Sequence, residues 1–338
     1  MRICVYGAGS VGCYVGGRLA ATGAEVLLVG RRRIAEEIAE HGLRLTDLGG
    51  AELRVPPDGV PVITGPTDLA GVGLVLVTVK SVATAAAAAE LGRVLRPGIP
   101  VISFQNGLRN AELLREALPD HRALAGMVQC NVVHRGPGHF HAATSGGLEV
   151  TDDPALQPYL EAFQRAGLPL RRHADLTPVQ WAKLLLNLNN AINALSGLPL
   201  RQELADRAFR RCLALAVGEA LRVLRYAGVE VARLTPLPPR LLPALLAAPN
   251  PVYRLLAGSM LRIDPAARSS MSDDLEAGRP TEVEELNGEV VRLAQRIGTP
   301  APVNLRLVEL IRAAEAGMAR GWPAAELYDR LRRADQPA

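Results

Sequence analysis

The sequence predicts an α/β protein in two parts: an N-terminal domain built on a doubly wound parallel sheet, and an all-α C-terminal domain. Three observations favour this architecture. Apolar runs alternate with helix-like segments in the first half, a glycine-rich turn follows the first run, and the second half is helical almost to its end. A chain of 338 residues is long enough for two domains. We place them at residues 1–174 and 175–338.

The first βαβ unit contains a dinucleotide-binding motif. A short apolar strand over residues 3–6 is followed by Gly7, Gly9 and Gly12 in G-x-G-x-x-G spacing, then by a helix-like stretch and a second strand over residues 25–29. Gly7 permits a tight turn, Gly9 lets the backbone approach a pyrophosphate, and Gly12 lets helix and strand pack closely. Because the helix N-terminus would face the anion, we expect a Rossmann-type domain.

The end of the second strand indicates which dinucleotide binds. A site that prefers NAD has an acid there for the ribose 2′-hydroxyl, whereas a site that prefers NADP must neutralise a 2′-phosphate. Here Gly30 and Arg31 occupy this region, and Arg32 and Arg33 follow. Guanidinium groups bind phosphate through paired charged hydrogen bonds, so we expect NADPH/NADP. The alternative is that these arginines only solvate the start of the next helix.

Two further strands extend the sheet, over residues 72–80 and 99–107. Their continuous apolar runs are typical of parallel strands covered on both faces. Ligands of such sheets bind beyond the carboxyl ends of the strands, where Lys80 and Asn106 lie. Both are therefore candidate site residues. Lys80 could instead be a solvated strand end, and Asn106 a turn former.

The second half starts after a hairpin-like segment over residues 139–154 and a short strand over residues 168–173. The helix predicted over residues 178–197 would be an ordinary buried helix without Lys183 and its four asparagines. At about 100° per residue, Asn187 and Asn190 lie within about 40° of Lys183, whereas Asn189 and Asn193 are about 80° to 120° away.

The face shared by Lys183, Asn187 and Asn190 has a chemical interpretation. A lysine is costly to bury without a partner, and an anionic ligand with a carbonyl group would supply one. The ammonium group could polarise a ketone and protonate the alkoxide that hydride addition forms, while the amides orient the substrate. The alternative is a solvent-facing patch on an amphipathic helix.

A third polar cluster lies near the end of the chain. Ser269 and Ser270 precede a helical stretch, and Glu282 opens another. The spacing of Thr281 and the following glutamates is also compatible with simple N-terminal capping of that helix.

These motifs together resemble the ketopantoate reductase (2-dehydropantoate 2-reductase) family over nearly the whole chain. The matching segments are GAGSVG at 7–12, TVK at 78–80, QNG at 105–107, WAKLLLN at 181–187, SSM at 269–271, RPTEVEELNG at 279–288 and GTPAPVN at 298–304. The resemblance implies the NADPH-dependent reduction of ketopantoate to pantoate, a step toward pantothenate and coenzyme A.

The resemblance also implies roles for individual residues. Lys183 would be the general acid. The substrate would be bound by Asn106, Asn187, Asn190, Ser270 and Glu282. The cofactor would be bound by Gly7, Ala8, Gly9, Ser10, Val11, Gly12, Arg31, Lys80, Asn106 and Glu282.

The chain departs from the family pattern in two places. The family commonly has an asparagine eight residues after the lysine, where this chain has Ala191. Asn190 takes that role if one residue is deleted, and Asn193 is the alternative. The proline-broken stretch 236–253 is longer than the family needs; it would either cover the substrate site or contact another subunit, which leaves a homodimer open.

Composition argues against other classes of protein. A net charge of +4 with 4% aromatic residues does not indicate a nucleic-acid partner. The four cysteines are scattered, which predicts neither a metal site nor disulfides. No signal peptide and no apolar run of about 20 residues is present, so we expect a soluble cytoplasmic protein without a membrane partner.

A regulator that senses NADP would not need Lys183 among amides, so an enzyme is favoured. The other candidate is a reductase of another branched 2-oxo acid or of an opine-type imine.

Overall fold

The computed structural model describes residues 1–65, 69–258, 264–265 and 267–335. The chain divides into two compact units, Met1–Leu176 and Thr177–Ala338. The division therefore falls at Leu176, close to the boundary expected at residue 174.

Unit 1 combines strands and helices. Its described strands are β1 (Arg2–Tyr6), β2 (Val26–Val29), β3 (Leu43–Asp47), β4 (Glu52–Val55), β5 (Val62–Ile63), β6 (Val72–Val77), β7 (Pro100–Ser103), β8 (Arg122–Val128), β9 (Val132–His134), β10 (His139–Ala142), β11 (Leu148–Thr151) and β12 (Leu170–His173). Its described α-helices are α1 (Ser10–Ala21), α2 (Arg32–His41), α3 (Thr84–Val94), α4 (Asn110–Ala117) and α5 (Leu160–Arg165).

The main sheet has eight strands in the order β12-β11-β8-β7-β6-β1-β2-β5. β1 pairs in parallel with β2 and β6, and the parallel pairing continues through β7 to β8. β11 joins β8 in antiparallel orientation. Side chains on the two faces of β1 belong to separate apolar clusters. Ile3 and Val5 pack in one cluster with residues of α1 and α5. Cys4 and Tyr6 pack in the other with residues of α3 and α4. The predicted doubly wound α/β fold is confirmed.

A second sheet, in the order β4-β3-β10-β9, was not predicted. β10 pairs with β3 and β9, whereas β11 belongs to the main sheet, so the hairpin expected over residues 139–154 is wrong. Helix α1 lies between the two sheets, since it contacts β1 and β2 of the main sheet and all four strands of the second sheet. Gly17 on α1 makes room for the second sheet, since a Cβ atom there would come within 2.8 Å of the Leu45 side chain.

In the described part of unit 2, every regular element is helical. Its α-helices are α6 (Thr177–Asn187), α7 (Asn189–Ser196), α8 (Leu200–Ala205), α9 (Arg207–Tyr226), α10 (Leu242–Ala247), α11 (Asn250–Ala257), α12 (Ser270–Glu276), α13 (Asn287–Arg296), α14 (Pro302–Glu315) and α15 (Ala324–Ala334). The predicted all-α C-terminal domain is confirmed.

The proline-broken stretch 236–253 contains α10 and the start of α11, and it is bound to α9. Arg207 donates a hydrogen bond to the Ala247 carbonyl at 3.0 Å. The fully buried Arg210 donates to the carbonyls of Leu246 and Ala248 and lies over the Tyr253 ring. These carbonyls satisfy a buried guanidinium that would otherwise be costly. The stretch is therefore part of the packing of unit 2.

None of the helices in the described ranges has both the length and the apolar character needed to cross a membrane. Among those same residues, no three His, Cys, Asp or Glu side chains gather into a group that could hold a metal ion.

Candidate active site

The turn between β1 and α1 is held by its glycines and by Thr78. Gly7 has φ of +118°, and a Cβ atom there would come within 2.6 Å of the Val79 nitrogen. The Thr78 hydroxyl donates to the Gly7 carbonyl at 2.7 Å. A Cβ atom on Gly12 would collide with that carbonyl. Thr78, at the end of the neighbouring strand β6, therefore fixes the turn. The sequence indicated Thr78 only as part of the TVK motif.

The same turn leaves room for an anion. A Cβ atom at Gly9 would meet nothing within 4 Å, whereas its two partner glycines are tightly packed. Gly9 is also the N-cap of α1, and no side chain caps this helix or places an acid in its first turn. Uncapped N–H groups and the positive end of the helix dipole favour a phosphate. The residues from Gly7 to Gly12 thus fit the pyrophosphate of a dinucleotide.

The three arginines after β2 divide into two groups. Arg33 is paired with Glu37 at 2.8 Å on α2, which supports the helix. Arg31 is the N-cap of α2, and both Arg31 and Arg32 are exposed; within the described residues neither forms an ion pair. The solvating role is therefore supported for Arg33, and Arg31 and Arg32 stay available for a phosphate group.

Lys80 and Asn106 lie at the same edge of the main sheet. Lys80 follows β6 and Asn106 follows β7, and these two strands are parallel neighbours. Lys80 is exposed and Asn106 is partly buried. Both belong to the edge at which Gly7–Gly12 lies, because β1 runs parallel to β6. The residues Gly7–Gly12, Lys80 and Asn106, which we expect to contact the cofactor, therefore lie at the same edge of the main sheet.

The Lys183 face of unit 2 follows the predicted geometry. Lys183, Leu186, Asn187 and Asn190 are partly exposed, whereas Asn189 and Asn193 are buried at 6% and 0% exposure. One polar stripe therefore contains the lysine and the two expected amides. Since Asn187 is the last residue of α6, the stripe continues across the junction with α7.

The single helix predicted over residues 178–197 is wrong in one detail. It is interrupted at Leu188, which lies between α6 and α7, although the Leu188 N–H still donates to the Leu184 carbonyl at 3.0 Å. Asparagine side chains compete with helical backbone bonds, and three of the four follow within six residues of the break. The interruption preserves the direction of the polar stripe.

Both ends of the Asn193 side chain are hydrogen-bonded within unit 2. The Asn193 amide donates to the Leu198 carbonyl at 2.9 Å, and its oxygen accepts the Ser269 N–H at 2.9 Å. Asn193 therefore connects α7 to the segment that precedes α12, and both ends of its amide are used. Of the two alternatives left by the sequence, Asn190 is the one that is partly exposed.

The neighbouring serines 269 and 270 have different roles: Ser269 holds the local structure, whereas Ser270 is partly exposed. The Ser269 hydroxyl caps α12 by accepting the Ser272 N–H at 3.1 Å, and it donates to the Asn190 carbonyl at 3.2 Å. Ser270 is the first residue of α12 and is partly exposed. The Ser269 contacts therefore hold Ser270 at a fixed place relative to Asn190.

Glu282 is buried at 6% exposure, but it does not open a helix as expected. Residues 282–286 form turns, and α13 begins only at Asn287. The Gly288 N–H donates to the Val283 carbonyl, five residues back, and the Arg292 guanidinium donates a hydrogen bond to the Glu284 carbonyl. They replace the bond that the Gly288 N–H would make to the Glu284 carbonyl in an α-helix. The Thr281 hydroxyl accepts the Val283 N–H, so it caps the turn instead of α13.

A buried carboxyl group beneath α7 was missed by sequence reasoning. Glu203 is fully buried, and it accepts a hydrogen bond from the Asn189 amide at 2.9 Å. Burial raises the pKa of Glu203 to about 8, against the opposing effect of hydrogen bonds from Asn189 and Asn193. The carboxyl group is therefore protonated at neutral pH, and it supports the helix that carries Asn190.

Comparison with known families gives matches over both units. Residues 3–154 match the family model described as ketopantoate reductase PanE/ApbA, and residues 175–315 match the model for its C-terminal part. A 2-dehydropantoate 2-reductase from Halobacterium salinarum is 32% identical over 324 residues, which cover 93% of this chain and 99% of that relative.

Solved structures give the same result for the fold. A PanE/ApbA family ketopantoate reductase from Ralstonia eutropha JMP134 is 31% identical with a TM-score of 0.78, covering 94% of this chain and 99% of that one. A D-mandelate dehydrogenase solved with NADH and anilino(oxo)acetate is 20% identical with a TM-score of 0.75, again covering 94% and 99%. The second likeness concerns the fold alone.

Proposed function

Since the chain belongs to the ketopantoate reductase family, we propose that it catalyses the NADPH-dependent reduction of 2-dehydropantoate (ketopantoate) to pantoate, a step toward pantothenate and coenzyme A. The observation that carries the proposal is the partly exposed polar stripe of Lys183, Asn187 and Asn190 along α6 and α7. A cation flanked by two amides suits a small anionic substrate with a carbonyl group.

The residues of unit 1 fit a nicotinamide dinucleotide. Gly7–Gly12 would hold its pyrophosphate at the N-terminus of α1, and Arg31 would pair with a 2′-phosphate. Lys80 and Asn106 would contact it from the ends of β6 and β7. When bound, the reduced nicotinamide supplies the hydride that the reduction requires. Two exposed arginines without described ion-pair partners support NADPH over NADH.

In the proposed chemistry, Lys183 hydrogen-bonds to the ketone oxygen and donates a proton to it as the carbon is reduced. Its positive charge also stabilises the negative charge that develops on that oxygen. Asn187 and Asn190 orient the substrate by hydrogen bonding from the next two turns of the polar stripe.

Ser270 and Glu282 would account for substrate specificity. Ketopantoate has a carboxylate, a ketone and a hydroxyl group, and each must find a polar partner in a buried site. The Ser270 hydroxyl can bind the substrate, and the Glu282 carboxylate can accept a hydrogen bond from the substrate hydroxyl. A substrate without that hydroxyl would lose this hydrogen bond, which should lower its kcat/KM.

A second candidate is the reduction of another branched 2-oxo acid or of an opine-type imine. The fold shared with D-mandelate dehydrogenase, an enzyme named for a different 2-hydroxy acid, favours testing it. The test is NADPH oxidation at 340 nm with a panel of 2-oxo acids that includes ketopantoate, its analogue without the hydroxyl group, and benzoylformate. The highest kcat/KM for ketopantoate would support the proposal, and a higher value for another acid would overturn it.

A further inference from the structure

A buried polar network joins two loops of unit 1. One loop follows β6 and carries Lys80, and the other follows β7 and carries Asn106. The side chains of the network are all less than 9% exposed and belong to Ser81, Thr84, Ser103, Gln105 and Asn110. Buried side-chain networks of this kind are favourable only when every member is hydrogen-bonded.

The network holds the residues on both sides of Lys80. On one side, the Gln105 side-chain amide donates to the Val79 carbonyl at 3.0 Å. On the other side, the Asn110 amide donates to the Ser81 hydroxyl at 3.0 Å. The position of Lys80 is therefore set by residues of the second loop and of α4.

The network also fixes the backbone of Asn106. The Asn106 carbonyl accepts one hydrogen bond from the Asn110 amide at 2.6 Å and another from the Ser81 hydroxyl at 3.1 Å. Ser81 and Asn110 thus contact both loops, so a displacement of either side chain would move Lys80 and Asn106 relative to one another.

Thr84 lies at the centre of these contacts and is fully buried. Its hydroxyl donates to the Asn110 oxygen at 2.8 Å and accepts from the Gln105 amide nitrogen at 2.7 Å. These two bonds determine which way each amide faces. Ser103 completes the network by donating to the Gln105 oxygen at 2.9 Å. All of these side chains are neutral.

We propose that Thr84 is a positioning residue for the reaction, because its hydroxyl orients Gln105 and Asn110 and thereby sets the separation of Lys80 and Asn106. The proposal rests on the proposed function, since it takes those two residues as cofactor contacts. Thr84 itself is buried behind the loops and acts only through its neighbours.

The experiment compares Thr84→Val with Thr84→Ser. Valine has the shape of threonine but no hydroxyl group, so it leaves the Gln105 and Asn110 groups unpaired; serine restores both bonds. We expect Thr84→Val to raise the KM for NADPH and lower kcat, with kcat/KM reduced roughly tenfold or more because the contacts are misplaced. Thr84→Ser should restore kcat/KM to within about twofold of wild type. The loss should be equal at pH 6 and pH 8, since the network contains no ionisable group.

Thr22→Val is the matched control. The Thr22 hydroxyl donates to the Arg18 carbonyl at 3.0 Å at the opposite end of α1, so its loss should lower Tm without changing the KM for NADPH. A Thr84→Val variant that behaves in the same way would overturn the proposal, as would a serine variant as impaired as the valine one.

Should Thr84→Val fail to fold, Ser103→Ala removes only the bond to Gln105 and should raise the KM for NADPH by a smaller factor; an unchanged KM would contradict the proposal. Wild-type protein that neither binds NADPH nor reduces ketopantoate would refute the proposed function instead.

Discussion

Replacing Glu203 by glutamine should stabilise unit 2 at neutral pH. An exposed glutamate has a pKa of 4.5, whereas burial raises the pKa of Glu203 to about 8. Between these two values the unfolded chain has ionised this carboxyl group and the folded chain has not. Stability therefore falls by about 1.4 kcal/mol for each pH unit across this interval and is constant, for this group, above pH 8. At pH 7 the accumulated loss is about 3 kcal/mol relative to pH 4.

Glutamine mimics the protonated carboxyl group because it is uncharged, has nearly the same shape, and presents one acceptor oxygen and one donor group. Its oxygen can accept the Asn189 amide, as Glu203 does at 2.9 Å. Among the described residues, the buried oxygens Glu203 Oε1 and Asn189 Oδ1 both have no hydrogen-bond partner, so an uncharged group at position 203 is favoured over a carboxylate. We therefore expect Glu203→Gln to match wild type near pH 4.5 and to exceed its free energy of unfolding by up to about 3 kcal/mol at pH 7.

The assay is urea unfolding from pH 5 to pH 8, followed by tryptophan fluorescence. Both tryptophans, Trp181 and Trp322, belong to unit 2, so the signal reports on that unit. Glu230→Gln, which changes an exposed carboxylate of the same unit, is the control and should keep the pH dependence of wild type. The reasoning is refuted if Glu203→Gln has the wild-type pH dependence, or if it is less stable than wild type at pH 7.

Four further substitutions test the site. Arg31→Ala should weaken NADPH binding by about 1 to 3 kcal/mol and leave NADH binding nearly unchanged; equal use of both cofactors by wild type would contradict the role of Arg31. Lys183→Ala should lower kcat by about 10² to 10⁴-fold and still bind NADPH in a fluorescence titration, and a folded variant with near wild-type kcat would exclude Lys183 as the acid. Asn190→Ala should raise the KM for the 2-oxo acid with little change in Tm, whereas Asn193→Ala should lower Tm, because it leaves the Ser269 N–H and the Leu198 carbonyl unpaired. The opposite pattern would make Asn193 the substrate ligand.

Strands β1, β2, β6 and β7 of the main sheet could be predicted because each lies in a largely apolar run. β6 and β7 are buried along their whole length, apart from Gly73. Their sequences therefore consist mainly of apolar residues. The second sheet could not be predicted in this way. Its strands β3 and β4 alternate exposed charged residues with apolar ones, and β10 contains two histidines, so the pairing depends on packing against α1 that no local pattern reveals.

The asparagines of α6 and α7 show the limit of sequence reasoning within the site. Helical periodicity identifies the face on which each side chain lies, and that face separated Asn187 and Asn190 from Asn189 and Asn193. It does not identify partners, because those come from distant segments: Asn189 contacts Glu203, and Asn193 contacts Leu198 and Ser269. Four residues of one type thus divide into two that face the polar stripe and two that hold it in place. Since asparagine is unfavourable inside helices, its repeated use here follows from this division: the buried pair positions the backbone, and the other pair supplies the two amides that we propose for substrate binding.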